Sequence, residues 1–434
     1  MAENRKTGIW NIIDRIEGDK IIWMIVLILI AFSIIAISSS TPLLAKMHHT
    51  SRINIIYTQV GIAILGLGVI LFFYTFVKKI GVLKWISQLG FFASFLLLTM
   101  LVIKIRLPFI RVVDTNDAVR ALSVMGFQLH VYEFNKVLMI MYMAWATSAY
   151  NSGKLRWADY LAERYNWQFL KNDHWRFLIY IILPAMIITA MTLQGSNSSA
   201  MFIFLVMFMT MLLGGIKFKK LLPYGLAGIL LGLTLFGLNW VSNGKILPGM
   251  RVGTAIERFS LAGQDPEEQL LALDEKSKAF DDLLDKVRQP IAAKVAISEG
   301  GVIGKGPGRS TQRYVVPLMF GDYMFSFIVE EFGLVGALVI IILFGSLLAR
   351  GAILVRNCTN TFAQTAIGGL VVMISGQALM HMMINADLGP LTGQTLPMIS
   401  HGNSSFLAFS IAFGIILATS RMVKKQMEQY EQQQ

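Results

Sequence analysis

Cysteine and charge are both scarce in this sequence. Cys358 is the only cysteine in 434 residues, which excludes a disulfide framework and a thiolate metal cluster. Charged residues make up 15% of the chain, where a soluble protein carries about a quarter. There is no basic stripe with interleaved aromatics, so the net charge of +12 does not point to nucleic acid. Neither His381 with His401 nor His48 with His49 has a third ligand at zinc spacing. The glycine-rich "GGVIGKGPGRS" (300–310) is not a Walker loop. Gly306 follows Lys305 where serine or threonine is required, and Glu299 occupies the first glycine position. No signal peptide opens the chain either: the first 20 residues are polar, and the apolar run from Ile21 to about Ala45 is too long for one. It reads as a first span that stays.

What the chain has in quantity is apolar sequence. Hydrophobic residues reach 55% and mean hydropathy is +0.60. Stretches near the roughly 20 residues needed to cross a bilayer recur from end to end. They lie at 21–45, 55–77, 85–103, 133–150, 176–193, 199–216, 222–241, 322–348, 362–384 and 402–420. The predicted fold is therefore an all-α polytopic membrane protein, a single domain of about ten transmembrane helices. With the N-terminus cytoplasmic, the inner segments carry 20 Lys and Arg and the short outer loops carry 6. The positive-inside rule thus sets both termini in the cytoplasm. One long extracytoplasmic loop, 242–321, joins spans seven and eight. Within it, "DPEEQLLALDEKSKAFDDLLDKVRQP" (265–290) has leucines at helical spacing and reads as an amphipathic helix on the outer membrane surface.

Polar residues gather at four outer places. The first, 114–136, holds Asn116, Arg120, His130, Glu133 and Lys136; Glu133 and Lys136 are three apart and can pair on one helix face. An unpaired lysine there could snorkel to the interface. The second, "QGSNSSA" (194–200), is a hairpin or a binding turn. The third, 251–322, offers Arg251, Arg258, Lys305, Arg309 and Arg313 to phosphate, although a solvated loop carries such charges too. The fourth, "NADLGPLTGQTLPMISHGNSSF" (385–406), breaks helix between spans nine and ten. Broken backbone at membrane depth must be buried in protein or line a wet cavity, and a cavity is expected. Asp322 is suited to N-cap span eight. Glu330 and Glu331 lie further along the same run, where a carboxylate at the bilayer centre costs roughly 3 kcal/mol. Their presence implies a protein-lined polar interior.

In this order the motifs resemble the SEDS family of RodA, FtsW and SpoVE proteins over nearly the whole chain. Asn116, Arg120, Glu133 and Lys136 match the family's first motif at unchanged spacing, with Ala121 replacing its tryptophan and His130 its glutamine. Gln194 remains from the second motif, and Ser196 stands where an aspartate is usual. Pro317, Asp322, Glu330, Glu331 and Gly333 match the third. Asn385, Gly389, Pro390, Thr392, Gly393, Leu396, Pro397, Ser400, Gly402, Ser404 and Ser405 match the last. The resemblance implies a peptidoglycan glycosyltransferase that polymerises lipid II at the outer face of the inner membrane and releases undecaprenyl diphosphate. It places the catalytic aspartate on Asp322 and implies substrate contacts from Arg120, Glu133, Lys136, Gln194, Glu330, Asn385, Thr392, Ser400, Ser404 and Ser405. Arg251, Arg258, Lys305 and Arg309 are the cations available for the leaving diphosphate; magnesium or manganese is the alternative neutraliser, and no cofactor is otherwise implied. A class B penicillin-binding transpeptidase and other divisome proteins would be partners. The opening "EGDKIIWMIVLILIAFSIIAISSSTPL" looks more like FtsW members, which implies septal synthesis; lateral-wall elongation is the alternative within the family. A lipid II flippase and an inactive division scaffold are the rivals outside that activity.

The orientation is directly testable. A cysteine placed at Ser277 should react with an impermeant maleimide in intact spheroplasts, while one at the C-terminus should not. Protection at Ser277 together with labelling at the C-terminus would invert the map.

Overall fold

A computed structural model describes residues 17–47, 49–107, 110–115, 118–124, 127–242, 270–273, 277–315, 319–389 and 392–431. Each predicted apolar segment is helical. The helices are α1 (Lys20–Met47), α2 (Arg52–Phe76), α3 (Ile80–Ser87) with α4 (Gly90–Val102), α5 (Val131–Asn151), α6 (Arg156–Arg164) and α7 (Asp173–Leu193). They continue as α8 (Asn197–Leu213), α9 (Phe218–Val241), α10 (Lys278–Gly300), α11 (Met324–Asn357), α12 (Thr361–Asn385) and α13 (Asn403–Glu431). Among the described residues eight helical spans are long and apolar enough to cross a membrane, α3 and α4 counting as one. Of the remaining predicted spans, α8 is apolar but has only 17 residues. α5 is more polar, and it buries most of its length, including Asn135, Lys136, Thr147 and Ser148.

The interior forms around α5, α8, α12 and α13, while α9 lies at the edge with an almost wholly exposed flank. Small residues let the helices approach, as expected where no hydrophobic force acts between them. A Cβ on Gly66 of α2 would lie 2.5 Å from the Phe406 ring of α13, and one on Gly369 of α12 would lie 2.7 Å from Ile140 of α5. Pro184 in α7 has no amide for the Tyr180 carbonyl one turn back; the Tyr142 hydroxyl of α5 donates to that carbonyl instead, at 2.9 Å. Both chain ends meet at one side. Asp19 pairs with Arg350 near the end of α11 at 2.6 Å, and Glu17 with Lys425 of α13 at 2.8 Å.

Two predicted loops are structured. The outer loop 104–132 contains a four-stranded antiparallel meander in the order β1 (Arg106–Leu107), β2 (Ile110–Thr115), β3 (Ala118–Val124), β4 (Phe127–His130). The β-branched run at Ile110, Val112 and Val113 favours strand. Ala121 pairs with Val113 and Val119 with Asp114, so Arg120 is the bulged residue of β3. In the long loop the amphipathic helix starts at 278, where Ser277 caps it by accepting from the Phe280 amide at 3.1 Å. It runs through Pro290 to Gly300 and packs along α11. The predicted start at Asp265 and Pro266 lies outside the described residues.

α11 is not one continuous helix. Gly333 sits at φ 66°, ψ −165°, a conformation open in practice only to glycine. An unbroken helix would bond the Leu334 amide to the Glu330 carbonyl and the Val335 amide to that of Glu331. Those groups are held apart, and the glycine-rich loop fills the gap. Leu334 donates to the Gly301 carbonyl at 2.9 Å and Val335 to that of Val302 at 3.2 Å; the Lys305 and Gly306 amides donate to Glu330 and Glu331, each at 2.9 Å. The close approach that its glycines permit is made by the loop 300–310 to the backbone of α11. The long predicted span 322–348 becomes a short segment before Gly333 and a spanning segment that continues to Asn357.

A Cβ at position 333 would lie 2.3 Å from the Val302 carbonyl oxygen. Gly333→Ala should lower stability by about 1–3 kcal/mol or more, read as a depressed unfolding temperature of the purified protein in detergent. An unchanged temperature would mean the break does not depend on glycine.

Candidate active site

Asp322 lies in the turn leading into α11. It is not the N-cap: Tyr323 holds that position and makes no side-chain cap bond. The backbone on which Asp322 sits is held by the fourth polar stretch. The Asn385 amide group donates to the Asp322 carbonyl at 3.1 Å, and the Ser400 hydroxyl donates to the Gly321 carbonyl at 2.8 Å. Asn385 also accepts from the Ser326 amide at 2.9 Å, which fixes the first turn of α11. The Asp322 carboxylate points at Gly393, where a Cβ would stand 3.8 Å from its Oδ2. Gly393 has φ 66°, so the loop reaches this approach in a conformation that suits glycine.

Below this turn lies a buried ionic network. Lys136, 1% exposed, donates to Glu133 at 2.8 Å, Gln377 at 2.6 Å and Gln394 at 3.1 Å. Its ammonium group also lies 5.4 Å from the Phe202 ring centroid, a distance at which cation–π attraction operates. Gln377 donates to the Thr395 carbonyl at 3.0 Å and Gln394 to the Ser199 hydroxyl at 3.0 Å. His381 Nε2 accepts from the Phe325 amide at 3.4 Å, so Nδ1 carries the proton it donates to the Gln394 carbonyl at 2.8 Å. Thr395 bonds Ser405 at 2.7 Å, and Ser405 donates to Glu133 at 3.3 Å. The i, i+3 pair predicted from spacing is thus formed, but the lysine cannot snorkel: it is enclosed and triply bonded.

Several expected substrate contacts are scaffold groups. Asn385, Ser400, Ser404 and Ser405 are each at most 7% exposed. Their partners are protein atoms, Ser404 donating to the Gln128 carbonyl of β4. Thr392 is different. Its hydroxyl is buried without a partner, beside Gly393, and buried polar groups of this kind are rare unless something else satisfies them. Gln194 is half-buried at the C-terminal end of α7.

Glu330 and Glu331 form a separate centre with the glycine-rich loop. Glu330, fully buried, accepts from Lys305 at 2.9 Å, from the Thr311 amide at 2.7 Å, from the Thr311 hydroxyl at 2.9 Å and from the Ser310 hydroxyl. Glu331 accepts from Ser39 of α1 at 2.6 Å and from the Gly308 amide at 3.0 Å. Lys305 also pairs with Glu299. Against the burial that opposes its charge, the hydrogen bonds that Lys305 donates to Glu299 and Glu330 push its pKa above its ordinary value. The bond from Lys305 holds the Glu299 carboxyl below its own. Lys305 is therefore committed to carboxylates and is not a spare cation for diphosphate, nor is Glu330 an open ligand. Arg309 is exposed on the same loop. Arg120 is placed only by its backbone, and Asn116, Arg251, Arg258, Pro317 and Pro390 lie outside the described residues. Among the described residues no group of three His, Cys, Asp or Glu could hold a metal ion.

The sequence assigned no individual role to Gln377, Gln394, Thr395 or Ser199, and His381 was weighed there only as a metal ligand. Gln377 carried a signal: an amide in the middle of an apolar span is costly unless it has a partner.

The pattern of the cell cycle protein family of FtsW, RodA and SpoVE matches residues 19–425. The chain belongs to this family. It is 27% identical over 332 residues to the probable peptidoglycan glycosyltransferase FtsW of Caulobacter vibrioides, covering 76% of this chain and 72% of that protein. It is 24% identical to the FtsW of Geobacter sp., covering 94% and 99%. Its fold is similar to that of a chain in a solved peptidoglycan synthase complex, with TM-score 0.61 and 18% identity over 94% of this chain and 98% of the other. The rod shape determining protein RodA of Thermus thermophilus aligns with TM-score 0.56 and 18% identity, covering 94% and 98%. Among the family's matched positions, those at the ends of α11 and α12 meet in the turn that carries Asp322.

The ion pair yields a test. Glu133→Gln and Lys136→Met should each destabilise the protein by about 3–5 kcal/mol, as when one partner of a buried pair is removed. The double variant should lose less than the sum of the two, read by thermal unfolding in detergent. Strict additivity would show that the groups are not coupled.

Proposed function

We propose that this protein is a multi-pass peptidoglycan glycosyltransferase that polymerises lipid II at the outer face of the bacterial inner membrane, at the division septum. The observation that carries the reading is the clamp on Asp322. Asn385 and Ser400 hold the main chain on both sides of this carboxylate, so it is presented in a fixed place without being consumed as a helix cap. In the mechanism, the Asp322 carboxylate takes the proton of the acceptor sugar's 4-hydroxyl as that oxygen attacks the anomeric carbon of the donor. The glycosyl bond to diphosphate breaks as the new one forms, and undecaprenyl diphosphate leaves. Arg309, exposed on the glycine-rich loop, is the described cation free to face that diphosphate, with Arg251 and Arg258 as further candidates. Thr392, its hydroxyl unpartnered beside Gly393, is placed to hydrogen-bond a sugar hydroxyl. The FtsW names of its relatives support the septal assignment, and the synthase complex that pairs polymerization with crosslinking supports a class B penicillin-binding transpeptidase as partner.

Asparagine at 322 preserves the backbone carbonyl that Asn385 binds, so Asp322→Asn should express and unfold like the parent protein. It cannot take a proton at neutral pH, so lipid II polymerisation by the purified variant, with its transpeptidase present, should fall by roughly a hundredfold or more. Asp322→Glu should also be impaired, because its carboxylate is displaced by about 1 Å. Polymerisation by the asparagine variant at the parental rate would remove Asp322 from the chemistry. In the same assay, transbilayer movement of lipid II without polymer would identify a flippase, and neither activity a scaffold.

A further inference from the structure

A cavity opens away from Asp322, on the side of the protein where its described ends meet. Its volume is about 880 Å³, and Lys84, Trp85, Gln88, Trp145, Lys154 and Tyr160 line it, a size suited to a ligand. Lys84 enters from α3 and Lys154 from the turn after α5. The Lys84 ammonium group lies 3.4 Å from the Ser148 hydroxyl, and the Lys154 charge is near enough to repel it. Among the described residues neither lysine has a carboxylate partner. The acid nearest in sequence to the cavity wall, Asp159 of α6, is held by Arg176. Two ammonium groups facing one cavity without a counterion leave an excess of positive charge.

The cavity also sits at a membrane boundary. Trp85 is 65% and Tyr160 56% exposed, and Tyr165, Trp167, Phe169 and Trp175 follow Tyr160 in the chain as a run of exposed, mutually contacting aromatics. Exposed tryptophan and tyrosine mark the headgroup level. Basic pockets between transmembrane helices on the cytoplasmic side bind anionic headgroups. We propose that this cavity binds the phosphate of an anionic phospholipid from the leaflet on the side of both chain ends, with Lys84 and Lys154 contacting the phosphate and Trp85 and Tyr160 packing on the glycerol and upper acyl chains.

The test uses delipidated full-length protein in detergent, titrated with phosphatidylglycerol, phosphatidylcholine or inorganic phosphate, with bound molecules read by native mass spectrometry. Phosphatidylglycerol should bind more tightly than phosphatidylcholine. The Lys84→Gln, Lys154→Gln double variant should bind it roughly thirtyfold more weakly, at about fivefold for each lysine near an anionic surface. Lys84→Arg with Lys154→Arg should restore binding, which separates charge from fold. Equal affinity of the parent and the double glutamine variant would overturn the proposal, as would equal binding of both lipids. Displacement of the lipid by inorganic phosphate, with the same lysine dependence, would assign the site to free phosphate and also overturn it.

Discussion

Two hydrogen bonds that α11 does not make organise the end of this protein that carries Asp322. At Gly333 the amides of Leu334 and Val335 are separated from the carbonyls of Glu330 and Glu331, and the loop 301–306 inserts between them. Membrane-embedded backbone must satisfy its polar groups within the protein, and the insertion does so group by group. The same insertion delivers Lys305, Gly308, Ser310 and Thr311 to the two buried carboxylates. An acidic pair that would be costly in an apolar helix becomes the anchor that holds the glycine-rich loop against the bundle. The anchor extends to α10, whose Lys294 pairs with Asp387 at 2.7 Å beyond the end of α12.

The second organising group is the Lys136 ammonium. Gln377, His381 and Asn385 recur at four-residue intervals and so lie along one face of α12. Gln377 accepts from Lys136, His381 donates to the Gln394 carbonyl, and Asn385 holds the Asp322 carbonyl. A single helix face thus connects a buried charge to the proposed catalytic carboxylate through rigid, satisfied groups. Such a network places Asp322 from behind while leaving its carboxylate beside Gly393. The requirement is positional, because an attacking oxygen misplaced by about 1 Å can lose a hundredfold in rate.

This arrangement separates polar residues that protein atoms satisfy from one that they do not. Ser400, Ser404, Ser405 and Asn385 are buried against protein partners, whereas the Thr392 hydroxyl has none. Positions that a family pattern groups together therefore have two physical roles. On the opposite side of the bundle, the Asp19–Arg350 and Glu17–Lys425 pairs join the residues just before α1 to α11 and α13.

The apolar runs alone determined the helical spans, since burying backbone in a bilayer leaves few other conformations. The three-residue spacing of Glu133 and Lys136 likewise determined that they could pair. Local pattern did not reveal the sheet at 106–130, because its strands are short and lie within what charge and polarity mark as a loop. Nor could it show where the long-range polar partners lie. Lys305 reads as a cation for phosphate until Glu330, 25 residues on, is folded against it. Asp322 reads as a helix cap until Tyr323 takes that place and Asn385, 63 residues away, fixes its carbonyl. Periodicity and hydropathy act over a few turns, so they decided the elements. Which charge neutralises which, and which groups hold the backbone around Asp322, depends on contacts between distant segments, and only the tertiary structure decided those.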